Sequence, residues 1–192
     1  ASSVMPAGRL MGRMRFSHTL LDVYLEPLPA LLNSAIPGID LYPLGVSIQD
    51  VRDAVVPTGL LIGQNSYESA ALIFRDSSGT VQLSPLRTQH DPANASTAGT
   101  LLPFGSELIG FLHNHPGGAP LFPSSIYTNP IGVNDWSSVL NFATSPPPNG
   151  LAINPFLVQY IAGPAGVYEY TISDAPTAEN PNQNLGTLVG WP

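Results

Sequence analysis

Residues 107–118 read ELIGFLHNHPGG, and no other stretch constrains the chain as tightly. The apolar run reads as a core strand, and Pro116 with two glycines turns the chain off its end. Residues i and i+2 of an extended strand project from one face, so His113 and His115 share a site and Asn114 turns away. Two of the chain's four histidines are used here. With no cysteine in the chain, neither disulfides nor thiolates contribute, and any metal site draws on His, Asp or Glu. Two converging imidazoles suit a divalent ion such as zinc, and the third ligand must be a carboxylate or a remote histidine. Asp135 is the candidate, because it follows the long loop 116–134 and opens a helix whose N-terminus favours negative charge. The structural alternatives are a turn closed by His-Pro-Gly-Gly and a helix N-cap at Asp135.

Composition narrows the function classes. At 192 residues the chain suits one domain with a real core, and only 10% of its residues are charged. Net charge is −7, every base is an arginine, and none lies beyond Arg87. A partner such as nucleic acid or an anionic membrane needs a basic stripe, and the sequence offers none. Neither a membrane-spanning apolar run nor a signal-peptide pattern is present. The start at Ala1 is compatible with a removed leader or a larger precursor. The absence of lysine rules out a lysine-bearing phosphate loop. Biased composition explains that absence most simply, and selection against ubiquitin attachment in a eukaryotic cytosol is the sharper alternative. No G-x-S-x-G elbow appears, which argues against Ser/His/Asp hydrolysis.

The punctuation of the chain predicts its organisation. Residues 1–18 read as a flexible arm, and 19–175 as a single domain that includes an N-terminal helical part. Residues 176–192 form a tail with a short apolar segment that can dock. Pro27 and Pro29 limit the segment 19–36 to a short helix and turn. A second helix starts near Ser47, with Asp50 three residues on, and ends at Pro57-Thr58-Gly59. SAALIFR, DSSG and TVQLSPL make a hairpin beginning just after Glu68. DWSSVLNFA starts a helix with Asp135 at or near its N-cap. FLVQYIAG, PAG and VYEYTIS make a second hairpin, Phe156 to Ser173. The long Pro/Gly loop 116–134, with Phe122, Tyr127 and Ile131, serves either as a cleft wall or as packing against the domain.

HNHP followed by a loop and an aspartate resembles the JAB/MPN (JAMM) metallopeptidase superfamily. The segment E…AALIFRDSSG is most similar to a JAB-like domain associated with bacterial polymorphic toxins. The resemblance covers about residues 60–173. It implies an α/β fold of the JAB/MPN-like, cytidine-deaminase-like kind, a mixed central sheet flanked by helices. It further implies zinc held by His113, His115 and Asp135, with Glu68 as general base, 45 positions before His113. Glu107 is the rival base, although its approach along the histidine strand requires a fold-back.

The sequence departs from the family in two places. Asp135 follows His115 by 20 positions, a wider gap than the family's, and Gly132 stands where the family serine is expected. Either the loop has expanded, with Ser124, Ser125 or Asn134 substituting, or the fold persists without catalysis. Ser125 is taken as the carbonyl- or oxyanion-polarising donor. The resemblance thus implies zinc-dependent hydrolysis of a peptide or isopeptide bond in a protein or peptide substrate, as a secreted or delivered effector or toxin module. The alternative is a non-catalytic JAB-like structural or protein-interaction domain.

Overall fold

A computed structural model describes residues 41–42, 46–118, 121–125, 134–144, 152–181 and 186–192. The expected arm, the helix within 19–36, and Tyr127, Ile131 and Gly132 lie outside the described residues.

Two short antiparallel strands, β1 (Leu41–Tyr42) and β2 (Val46–Ser47), lead into helix α1 (Ile48–Ile62). Ser47 caps this helix, its hydroxyl accepting the Asp50 N–H at 3.2 Å. The helix does not stop at Pro57-Thr58-Gly59 as its sequence suggests, but runs through them to Ile62. Proline inside a helix removes one donor and crowds the preceding turn. Burial of Val51, Val55, Gly59 and Ile62 along one face outweighs that penalty. Gly59 matters here for space, since a Cβ would meet Val167 Cγ2 at 2.8 Å.

The main sheet runs β4-β3-β6-β7-β8-β9, with β5 (Arg87–Thr88) also pairing to β3. Its members are β3 (Ser69–Arg75), β4 (Val81–Leu83), β6 (Glu107–Asn114), β7 (Ala152–Gly163), β8 (Gly166–Tyr170) and β9 (Thr187–Gly190). β6 and β7 are parallel and every other neighbouring pair is antiparallel, so the sheet is mixed and the fold is α/β. The parallel pair requires a crossover, and helix α2 (Asp135–Thr144) lies within it.

Both expected hairpins form. In the first, β3–β4, the Asp76 carboxylate accepts the N–H groups of Ser78 and Thr80 at 2.9 and 3.0 Å, locking the DSSG turn. The second is β7–β8, whose first strand begins earlier than its sequence suggests, at Ala152. Within the tail, Thr187–Gly190 pairs with β8 at the sheet edge.

Alternation along β7 divides the core. Val158, Tyr160 and Ala162 join α1 residues Val51, Val55 and Ile62 in one cluster. On the other face Leu157 meets Phe111 and Val139 of α2, and Ile161 meets Trp136. The histidine strand β6 sits mid-sheet, buried from Leu108 to Asn114.

Candidate metal centre

His113 and His115 project toward the α2 face from the end of β6, as the two-residue period requires. Main-chain bonds hold their backbone. His113 stands in register with Ala70 of β3 and Ile161 of β7, and His115 N–H donates to Ala162 O at 2.8 Å. The two Nε2 atoms lie 3.1 Å apart. Asp135 Oδ2 lies 3.5 Å from His113 Nε2 and 3.7 Å from His115 Nε2. Donors around a tetrahedral zinc with bonds of 2.0–2.1 Å stand about 3.3 Å apart. The three observed separations bracket that value, so the cluster is able to coordinate a metal ion.

Asp135 is brought there by the first turn of α2. Asn134, rather than Asp135, is the N-cap: its Oδ1 accepts Ser137 N–H at 2.9 Å and its carbonyl accepts Ser138 N–H at 2.9 Å. That leaves the Asp135 side chain free of capping duty. Its Oδ2 accepts the Ser124 N–H at 2.6 Å and the Ser124 hydroxyl at 2.9 Å. Ser124 Oγ in turn accepts the Asp135 N–H at 3.0 Å. Burial pushes the Asp135 carboxyl upward, but the charge and hydrogen bonding of His113, with hydrogen bonds from His115 and the Ser124 N–H, overcome it. The group is held well below the usual carboxylate range.

Glu68 occupies the residue just before β3 and is buried. Burial raises its pKa. The neighbouring histidine charges oppose that rise, while Asp135 and Asp91 reinforce it. The carboxyl therefore lies within electrostatic reach of all three cluster residues. Its backbone is held on one side by its own N–H donating to Asp91 O at 2.9 Å. On the other side, Asn114 binds the neighbours of Glu68 in sequence: Oδ1 accepts Ser69 N–H at 2.7 Å and Nδ2 donates to Tyr67 O at 3.1 Å.

Glu107 has another employment. It opens β6 at the far end from the histidines, where it pairs with Arg75 and accepts Asn154 Nδ2–H at 3.2 Å. Glu68 and the three cluster residues line one cavity of about 870 Å³. Ser124 and Asn134 also line it, while Ser125 is buried and lies outside the lining. Pro116 and Phe122 of the long loop contribute to one wall. The segment 91–98 contributes another. Asp91, Asn114 and Ser124 are the site residues whose roles pattern reading misses. Only the polarity of Asn114 within a largely apolar strand hints at a buried partner.

No family model, curated protein or solved structure matches the chain. The His113, His115 and Asp135 triad itself resembles a JAMM/MPN-type metal-binding motif. Among the described residues no helix is long and apolar enough to cross a membrane.

Proposed function

We propose that the chain is a zinc-dependent hydrolase of peptide or isopeptide bonds, with His113, His115 and Asp135 as ligands and Glu68 as general acid–base. One observation carries this reading: three donor atoms stand at the mutual spacing of tetrahedral zinc ligands, beside a buried carboxyl in a shared cavity. Imidazole and carboxylate oxygen are both natural zinc donors, and three protein ligands leave a position open.

When bound, zinc supplies polarisation of the substrate carbonyl and lowers the pKa of coordinated water. Glu68 takes the proton from the attacking water as its oxygen bonds to the carbonyl carbon. It then delivers that proton to the leaving nitrogen as the C–N bond breaks. A carboxyl whose pKa is raised by burial is better matched to this exchange near neutral pH than an exposed one. Ser124 fixes Asp135 so that the ligand oxygen faces the histidines. Ser124 lines the cavity and Ser125 does not, but the Ser124 hydroxyl hydrogen is given to Asp135, so Ser124 serves here as a support of the ligand.

The test combines metal analysis with substrate profiling. Purified protein supplied with zinc is assayed by mass spectrometry for metal, then incubated with a proteome-derived peptide library and an isopeptide-linked one. Near one zinc per chain and new cleavage products that disappear in Glu68→Gln support the reading. Bound zinc without cleavage in either library points to the non-catalytic alternative, and no zinc at all overturns the hydrolase reading and leaves a structural or protein-interaction domain.

A further inference from the structure

We infer that Asn114, the residue between the two histidines, is a positioning residue for Glu68. The inference rests on the reading of Glu68 as the proton carrier.

The β3–β6 ladder ends with Ala70 opposite His113. One residue further on, main-chain pairing has stopped, and the Asn114 carboxamide takes its place. Its oxygen accepts Ser69 N–H at 2.7 Å and its nitrogen donates to Tyr67 O at 3.1 Å. Those two groups belong to the peptide units on either side of the Glu68 Cα. The carboxamide thus acts as a peptide group of a missing strand residue would, with one acceptor and one donor in a plane. The Glu68 N–H points the opposite way, to Asp91 O at 2.9 Å. Glu68 is thereby pinned along both edges, at the residue just before β3 begins.

Asn114 is fully buried, and its two neighbours are the histidines of the cluster. Alternation sends their rings to the α2 face and the Asn114 carboxamide to the other. One three-residue stretch therefore sets the positions of two proposed ligands and of the base that works beside them. A serine or aspartate at 114 lacks a planar donor–acceptor pair, and an apolar residue leaves both backbone groups without a partner.

The test uses the full chain as Asn114→Leu, which keeps the branching and heavy-atom count of the side chain, and as Asn114→Ala. Four readouts are taken: zinc per chain, melting temperature, residue-resolved amide exchange, and turnover of the best-cleaved library peptide. The inference expects zinc stoichiometry to remain at the wild-type level. It expects exchange at Ser69 and Glu68 to rise about tenfold while the β6–β7 amides are unchanged. kcat should fall up to about 100-fold with KM within about twofold, the signature of a misplaced reacting group.

Unchanged exchange at Ser69 and Glu68 overturns the inference. So does loss of zinc with general loosening of β6, which makes Asn114 a support of the histidine strand instead. If the wild type binds zinc but cleaves nothing, the hydrolase reading fails. The exchange pattern then still decides whether Asn114 holds Glu68. Unfolding of both variants transfers the measurement to Asn114→Asp, which retains the acceptor for Ser69 and loses the donor to Tyr67. The inference expects faster exchange at Glu68 there also, and unchanged exchange refutes it.

Discussion

Ser124 and Asp135, eleven positions apart, hold each other by three hydrogen bonds. Ser124 offers both its N–H and its hydroxyl to Asp135 Oδ2, and Asp135 returns its own N–H to Ser124 Oγ. A serine fixed to the aspartate in space makes the wide sequence gap between His115 and Asp135 compatible with a compact site. Ser124→Ala removes the hydroxyl's two bonds and leaves the main-chain one. Zinc affinity should then fall about 10–100-fold, as loss of a ligand's supporting hydrogen bonds typically costs. Competition with a chromophoric chelator measures this.

Removal of any cluster residue should abolish stoichiometric zinc. His113→Ala, His115→Ala and Asp135→Ala each leave two donors where a structural or catalytic site needs three or four. Zinc saturation should also raise the melting temperature of the wild type and not of these variants, since free zinc at about 1,000 times Kd contributes about 4 kcal/mol. Mass spectrometry of metal content and thermal denaturation with and without zinc check both statements.

Glu68→Gln separates metal binding from chemistry. The variant should keep zinc and lose about 10²–10⁴-fold in turnover, the usual contribution of a positioned proton carrier. Retained turnover would remove Glu68 from the mechanism.

The same substitution has a pH signature in metal-free protein. Burial raises the folded-state pKa of Glu68 above its unfolded value, so the folded state binds more protons in the interval between them. Stability from this group is present below the unfolded value and is lost as pH rises through the folded one. Glu68→Gln, which carries no charge, should therefore melt higher than wild type at pH 7. The difference should shrink as pH falls toward about 4, where the unfolded carboxyl also protonates. Melting curves across that range decide it, and a Gln variant that melts lower at pH 7 contradicts the assignment.

Away from the cavity, buried Glu169 accepts Arg52 in a two-pronged pair at 2.9 Å and the Tyr160 hydroxyl at 2.6 Å. This ties α1 to β7 and β8. Tyr160→Phe should cost about 1–3 kcal/mol of stability, because a buried carboxylate loses a donor. Zinc content should not change. Denaturant titration gives the first quantity and metal analysis the second.

Much of this was legible in local pattern. The two-residue strand period aims His113 and His115 together whatever surrounds them, and the absence of cysteine confines a metal site to His, Asp and Glu. DSSG turns as its Asp76 dictates, and Ser47 starts α1. These are properties of neighbours along the chain, so the chain alone determines them.

Tertiary structure decided the rest. Pro57 lies inside α1 because burial of one helix face against the sheet outweighs a local penalty. Asn134 rather than Asp135 caps α2, which frees the carboxylate for Ser124 and the histidines. Asn114 reads as a residue merely turned away, and its partners lie 45 and 47 positions off. The sequence sets Glu107 behind Glu68 only for its fold-back, and sheet order is what gives Glu107 its partner, Arg75. Hydrogen bonds and charges act through space over a few ångströms, and only the packed sheet sets which groups stand within that reach.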